Sequence, residues 1–263
     1  MKTFTRIGLL ASAFLITLTS LAQTPDPKEL LQQMEAKVGG WDKLWSQKDV
    51  EFLYNYVYAD GKKDVSTERY IFEGEHSWAK YTQHDINVMP GKGGVVIQSL
   101  VDNKPACVMD GSAMDDPQVL GGTDFLRRAN YFWFAMFYKM LNPGTIHKYM
   151  GSEEVDGVNY HKISVAYESE TTGKLQNDAY VLYLNPETML VDHFFFSLPA
   201  MGVNQPVLKM KVEYEAINGL LLPTKRWAFQ PGADGKPSAE PFLTQISSQV
   251  KFNNGFTPED LKI

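Results

Sequence analysis

The residues of this chain that could do chemistry are few and scattered. Five histidines, His76, His84, His147, His161 and His193, lie among strand-like and turn-like segments, none at metal-ligand spacing from another or from Cys107. His76 and His84 could lie on neighbouring strands, which would make two ligands of a metal site and no more. The sole cysteine, Cys107, sits in the apolar stretch PACVM with no histidine nearby. A buried thiol fits that setting better than a nucleophile, which needs a partner base. Asp110, Asp115 and Asp116 surround a Gly-Ser turn, and Glu153, Glu154 and Asp156 form a second acidic turn. Neither group has the register of a calcium loop, so both read as solvated turn acids. There is no HExxH, no GxSxG, no phosphate loop and no glycine-rich dinucleotide fingerprint. No catalytic residue, metal ligand or cofactor is assigned.

One segment does point to a binding chemistry. Residues 124–141, DFLRRANYFWFAMFYKML, read as a helix that is apolar on almost every side. Such a helix must be buried or must touch something as apolar as itself. Spanning a bilayer would take ~20 apolar residues, so this one is too short. Arg127 and Arg128 stand near its start, where the helix dipole disfavours cations by roughly 0.3–1 kcal/mol. Pairing with Asp124, Asp115 or Asp116 would offset that. In the functional reading the two arginines meet the anionic head of a ligand, since a guanidinium suits carboxylate or phosphate. Phe132, Trp133, Phe134 and Phe137 would then meet its apolar tail, supported by Trp78, Phe195 and Trp227 from strands. The alternative is an ordinary aromatic core.

The rest of the chain sets the frame for that helix. Residues 1–22 read as a secretory signal: Lys2 and Arg6, then an apolar run from Ile7 to Leu21, then small residues at a cleavage site before Gln23. The remaining residues 23–263 fit one domain. Removing the two signal cations, Lys2 and Arg6, takes the formal charge from −6 to −8. An acidic chain without a basic run is a poor partner for nucleic acid. No second stretch is long and apolar enough to span a membrane. Export with soluble release into the periplasm or beyond is the expectation.

The elements follow from hydrophobic period. A helix over 26–38 is capped by Asp26 and Pro27, buries Leu30, Leu31, Met34 and Val38, and stops at Gly39-Gly40. From residue 50 the period becomes two, with turn signals at Asp60-Gly61, Asp156-Gly157 and Asn218-Gly219. This predicts a mainly β (α+β) protein: a curved antiparallel half-open β-barrel of about ten or eleven strands, with helices packed in its concave face. Residues 111–122 read as a loop leading into the aromatic helix.

Three pieces of the chain carry a family resemblance: LLQQMEAKVGGWDKLWSQKDVEF, YVLYLNPETMLVDHFFF and YEAINGLLLPTKRWAF. In their order and spacing the chain resembles the exported lipoprotein-sorting and carrier proteins of LolA-like fold, more narrowly a secreted branch of that group. The resemblance implies helices inside a curved sheet, an apolar cavity for acyl chains, and lid helices that open to admit the lipid part of a cargo protein. No position here is assigned to the arginine that holds the carriers' lid closed.

The function expected is therefore an exported, non-enzymatic binding protein for a lipid or other hydrophobic ligand, with the acyl part of an envelope lipoprotein as one candidate. Release would need the helix, or a loop at 86–94 or 111–123, to move. Two other readings stand beside it: an exported hydrolase with a dispersed site, and an envelope scaffold that binds protein through an outer aromatic patch.

Overall fold

The computed structural model describes residues 24–172 and 176–263. The segment read as a secretory signal lies outside them. The described chain begins with α1 (Pro27–Val38), which Asp26 caps by accepting from the Lys28 amide. Its stripe of Leu30, Leu31, Met34 and Val38 is buried, as its spacing demands. Gly39 ends it at φ 117°, and a Cβ there would lie 2.9 Å from the Leu220 side chain. That close approach and the positive φ both require glycine. A short α2 (Trp41–Ser46) follows.

Thirteen strands form one antiparallel sheet, two or three more than the turn signals suggest. The first meander comprises β1 (Asp49–Tyr58), β2 (Lys63–Ile71), β3 (His76–His84), β4 (Val96–Val101), β5 (Lys104–Met109) and β6 (Ser112–Ala113). The second comprises β7 (Thr145–Val155), β8 (Val158–Tyr167), β9 (Tyr180–Leu184), β10 (Val191–Leu198), β11 (Val203–Ile217), β12 (Leu220–Phe229) and β13 (Leu243–Phe252). Each strand pairs with its neighbours in sequence, and the meanders join where β1 pairs with β13. The edges are β6 and β7, and they do not pair with each other.

The aromatic helix is the link between those two edges. It is α3 (Pro117–Ala135), followed by a 3₁₀ turn at Met136–Tyr138. It starts seven residues before the expected 124, and half of the anticipated 111–122 loop is helix. The cause is a cap: Asp116 accepts from the Gln118 and Val119 amides, and Pro117 takes the first helical position. Two consequences follow. Asp116 is a helix cap and no free turn acid. Arg127 and Arg128 stand in mid-helix, where the dipole penalty invoked for them does not apply.

Two apolar clusters pack the inner face of the sheet. One joins α1 and Met136, Phe137 and Met140 to strands β8–β13. The other joins Tyr131, Phe134 and Tyr138 to Phe52, Tyr54, Tyr70 and Phe72. The 86–94 loop is pinned, because the Asp64 carboxylate accepts from the Ile86 and Asn87 amides and Val88 is buried.

On the outer face the C-terminal segment folds back over the first meander. Asp49 accepts from the backbone amides of Asn254 (2.7 Å), Gly255 (2.9 Å) and Phe256 (3.2 Å) and from the Asn254 side chain (2.9 Å). Phe256 then covers the Arg69 guanidinium, which lies 4.6 Å from the Phe256 ring and 4.6 Å from the Trp78 ring. Replacing Asp49 by Ala removes the buried carboxylate that holds these four donors. The Asp49→Ala variant is expected to lose about 1–3 kcal/mol of stability in urea unfolding, with earlier proteolysis near residue 254.

Candidate functional site

The seam between α3 and the sheet holds a polar knot that periodicity conceals. On β2 the alternation turns Ser66, Glu68 and Tyr70 inward and Thr67 and Arg69 outward. Glu68 is fully buried beneath α3 and ion-paired with Arg127, which is also fully buried. The Glu68 carboxylate accepts from both Arg127 Nη atoms, from Ser66 Oγ (2.7 Å), from the Tyr70 hydroxyl (3.0 Å) and from Asn130 Nδ2 (3.4 Å). Arg127 also donates to the Tyr81 hydroxyl. Burial alone would pull the Arg127 pKa down; the Glu68 charge reverses this and holds it above its ordinary value. Burial likewise drives the Tyr70 and Tyr81 hydroxyls well above theirs. Nearer the start of α3, Gln98 donates to the Thr123 hydroxyl (3.1 Å). That hydroxyl is also hydrogen-bonded to the buried Cys107 thiol, whose pKa burial raises.

The other end of α3 meets both meanders through rings. Trp133 stacks on Phe194 at 5.9 Å and meets Phe196 edge-on at 5.3 Å. Phe132 packs on Tyr180, Phe134 stacks on Phe52 at 5.0 Å, and Phe137 lies against Phe194 and Tyr214. The gap beside Trp133, bounded by Tyr54, Asn130, Phe134, Arg226 and Ser247, holds only about 10 Å³. That is at most the space of one water, so the gap beside Trp133 is filled in this conformation. Arg226 on β12, a residue the hydrophobic pattern did not flag, reaches up from the floor and donates to the Trp133 carbonyl. Its guanidinium lies 5.9 Å from the Trp133 ring centre.

Five of the nine residues assigned to a ligand from sequence thus converge under α3: Arg127, Phe132, Trp133, Phe134 and Phe137. The other four do not. Arg128 is on the exposed side of α3, bonded to Asp124 at 3.0 Å and to Asn103. Trp78 is in the outer cluster with Ile71, Val101 and Leu261. Phe195 and Trp227 point outward because Phe194, Phe196 and Arg226 point inward. Glu68 and Arg226 are the residues that sequence reasoning missed. The signal for Glu68 is its parity with Tyr70; for Arg226, its parity with Ala228.

The outer face of the second meander has its own aromatic group. His193 stacks on Tyr183 at 4.4 Å and meets Tyr160 edge-on at 5.0 Å. Burial, with Lys209 and Lys211 close by, pushes the His193 pKa down to about 3, against the opposing pull of Glu153.

An open cleft of about 760 Å³ lies away from α3's seam, where the end of α1 and α2 face the 138–143 segment. Trp41, stacked on Trp45 at 3.5 Å, forms part of one wall, and Tyr138 and Leu141 part of the other. Its titratable lining is Glu35, Asp42, Lys43 and Tyr138, without histidine or cysteine. Among the described residues no group of three His, Cys, Asp or Glu side chains is placed to hold a metal.

Two outcomes test this geometry. Glu68→Gln leaves Arg127 buried without a counter-charge and is expected to cost about 3–5 kcal/mol. Adding Arg127→Met to Glu68→Gln should restore most of that loss, and a double-mutant cycle in urea measures the coupling. For His193, the unfolded state binds a proton near pH 6.5 that the folded state refuses until about pH 3. Its contribution to stability is present above pH 6.5 and is lost as pH falls towards 3. The urea midpoint of the native protein should therefore drop more steeply between pH 7 and pH 5 than that of His193→Phe.

Comparison with known proteins bears on the fold. No family model matches the chain, and no curated protein sequence matches it. Solved structures do. A DUF1329 family protein of Desulfovibrio piger superposes with a TM-score of 0.54 at 11% identity, covering 90% of this chain and 98% of that one. A LolA superfamily protein of Nitrosomonas europaea gives a TM-score of 0.51 at 10% identity, covering 91% of this chain and 98% of that one. Identities this low speak to architecture and leave activity open. The fold of this chain is LolA-like.

Proposed function

We propose that the protein is an exported binding protein for a hydrophobic ligand, one that α3 covers and uncovers. The sheet is read as a half-open barrel whose apolar inner face, Ile163, Leu182, Phe194 and Met210 among its residues, becomes a trough when α3 lifts. The acyl part of an envelope lipoprotein and a free lipid are both ligands of the right chemistry. The observation that carries this reading is the way α3 is fastened. A helix that only plugged a core would be held at least as well by apolar contacts, because burying an ion pair often gains nothing over hydrophobic packing. Here the seam contains Arg127 with Glu68, and Arg226 with the Trp133 carbonyl. Charges that must be matched in the covered state can be matched by water or ligand in the uncovered one. The filled gap at Trp133 means that uptake requires this movement.

The same filled gap favours a second reading, an envelope scaffold that binds protein through Phe195, Trp227 and neighbouring outer-face rings. Bound lipid separates the two. Native mass spectrometry of protein purified from the exported fraction should show a lipid adduct if the first holds, and the bare chain if the second does.

Movement of α3 has a direct test, because Cys107 on β5 is hydrogen-bonded to Thr123 on α3. Thr123→Cys places a second thiol beside the native one, since Thr123 bonds Gln98 and Gln98 lies opposite Cys107, and oxidation can then tie α3 to β5. The oxidised variant is expected to lose uptake of a fluorescent fatty acid, and dithiothreitol to restore it. Equal uptake by the oxidised and reduced forms would show that the helix need not lift.

A further inference from the structure

Among the described residues two guanidinium groups lie under α3, and only one of them has a counter-ion there. Arg127 has Glu68. Arg226 is 2% exposed, its Nε has no partner, and the Trp133 carbonyl is its acceptor among the described residues. The titratable side chains around it are the neutral tyrosines Tyr54, Tyr214 and Tyr70, with no carboxylate among them.

Capping the end of α3 does not account for this. The last carbonyls of a helix need donors, and the dipole welcomes a cation there, but a neutral amide would serve. One is close by: Gln245 faces Arg226 across the β12–β13 pair, and its own Oε1 is buried without a partner. A fixed charge with an unused planar fork is the group that recognises an oxyanion. Its surroundings suit a head group as well. The small gap at Arg226 is edged by Tyr54, Asn130 and Ser247, all able to donate, while Met210 and Phe194 continue the inner face as an apolar strip.

We propose that Arg226 is the head-group site of an anionic amphiphile. When α3 lifts, the guanidinium passes from the Trp133 carbonyl to a carboxylate or phosphate, and the acyl chain lies along the strip beyond it. This rests on the binding function proposed above and names the class of ligand.

The test is displacement of Nile red from the purified protein by three ligands with one oleoyl or oleyl chain: oleate, oleoyl lysophosphatidate and oleyl alcohol. In the native protein at least one anion should act at a concentration about tenfold or more below that of the alcohol; which anion is stronger identifies the head as carboxylate or phosphate. Arg226→Gln should bring anion and alcohol within about threefold, by weakening the anion alone. Arg226→Lys, which keeps charge without the fork, should fall between. Equal displacement by anions and alcohol in the native protein overturns the inference and leaves the binding function standing, as does an unchanged preference in Arg226→Gln. Failure of Nile red and all three ligands to bind overturns both. Where Arg226→Gln fails to fold, Arg226→Lys carries the comparison: an unchanged preference for the anion overturns the inference, and a reduced one supports it.

Discussion

A chain that ends one meander at one edge of a sheet and starts the next at the opposite edge has to cross a face of that sheet. Here the crossing is α3, and the constraint shapes what lies around it. The crossing helix must be apolar towards the sheet, which accounts for Tyr131, Phe134 and Phe137. The sheet must present an apolar face to receive it, and the strands of the second meander do so with Leu182, Phe194 and Met210. α1 then shares the remaining inner surface through Leu30, Leu31 and Met34. The stripe on α1, the rings of α3 and the inward residues of the strands answer one another because a single span has to be covered.

The two halves of that contact differ in kind. Against the first meander α3 makes polar contacts, through Arg127, Asn130 and Thr123 to Glu68, Tyr81 and Gln98, beside ring contacts of Tyr131 and Phe134 with Phe52 and Tyr70. Against the second it makes ring contacts, with one arginine set among them. Polar contacts are specific in geometry and exchange readily with water, whereas ring contacts supply area at ~25 cal/mol per Å². The polar contacts therefore fix where the helix sits, and the ring contacts on both meanders supply most of the attraction. An apolar guest would compete with the ring contacts only.

Much of this architecture is legible in the order of the residues. The stripe on α1, the glycine break, the hairpin turns and the clean alternation of β11 depend on local rules, and they stand where those rules put them. The span of α3 was legible too, had Asp116-Pro117 been read as Asp26-Pro27 was; Gly121 and Gly122 made that stretch look like a loop. The site was harder to see. Arg127 looked like a surface cation beside nearby acids because its partner, Glu68, is 59 residues away. Trp78, Phe195 and Trp227 are aromatic, and aromaticity does not say which face of a strand a ring occupies. Parity does, once a neighbour is known to point inward, and bulges such as the one between Glu213 and Glu215 reset the count.

The pairing of β1 with β13 sets an order of events. Val50 lies opposite Phe252, so the strand made first waits for the strand made last. Until the end of the chain arrives, each meander can form only its own hairpins, and β1 offers an open edge. Closing so long a loop is entropically costly and slows the final step. The polypeptide therefore stays open while it is being made, and the sheet becomes whole only when its last strand is free to pair.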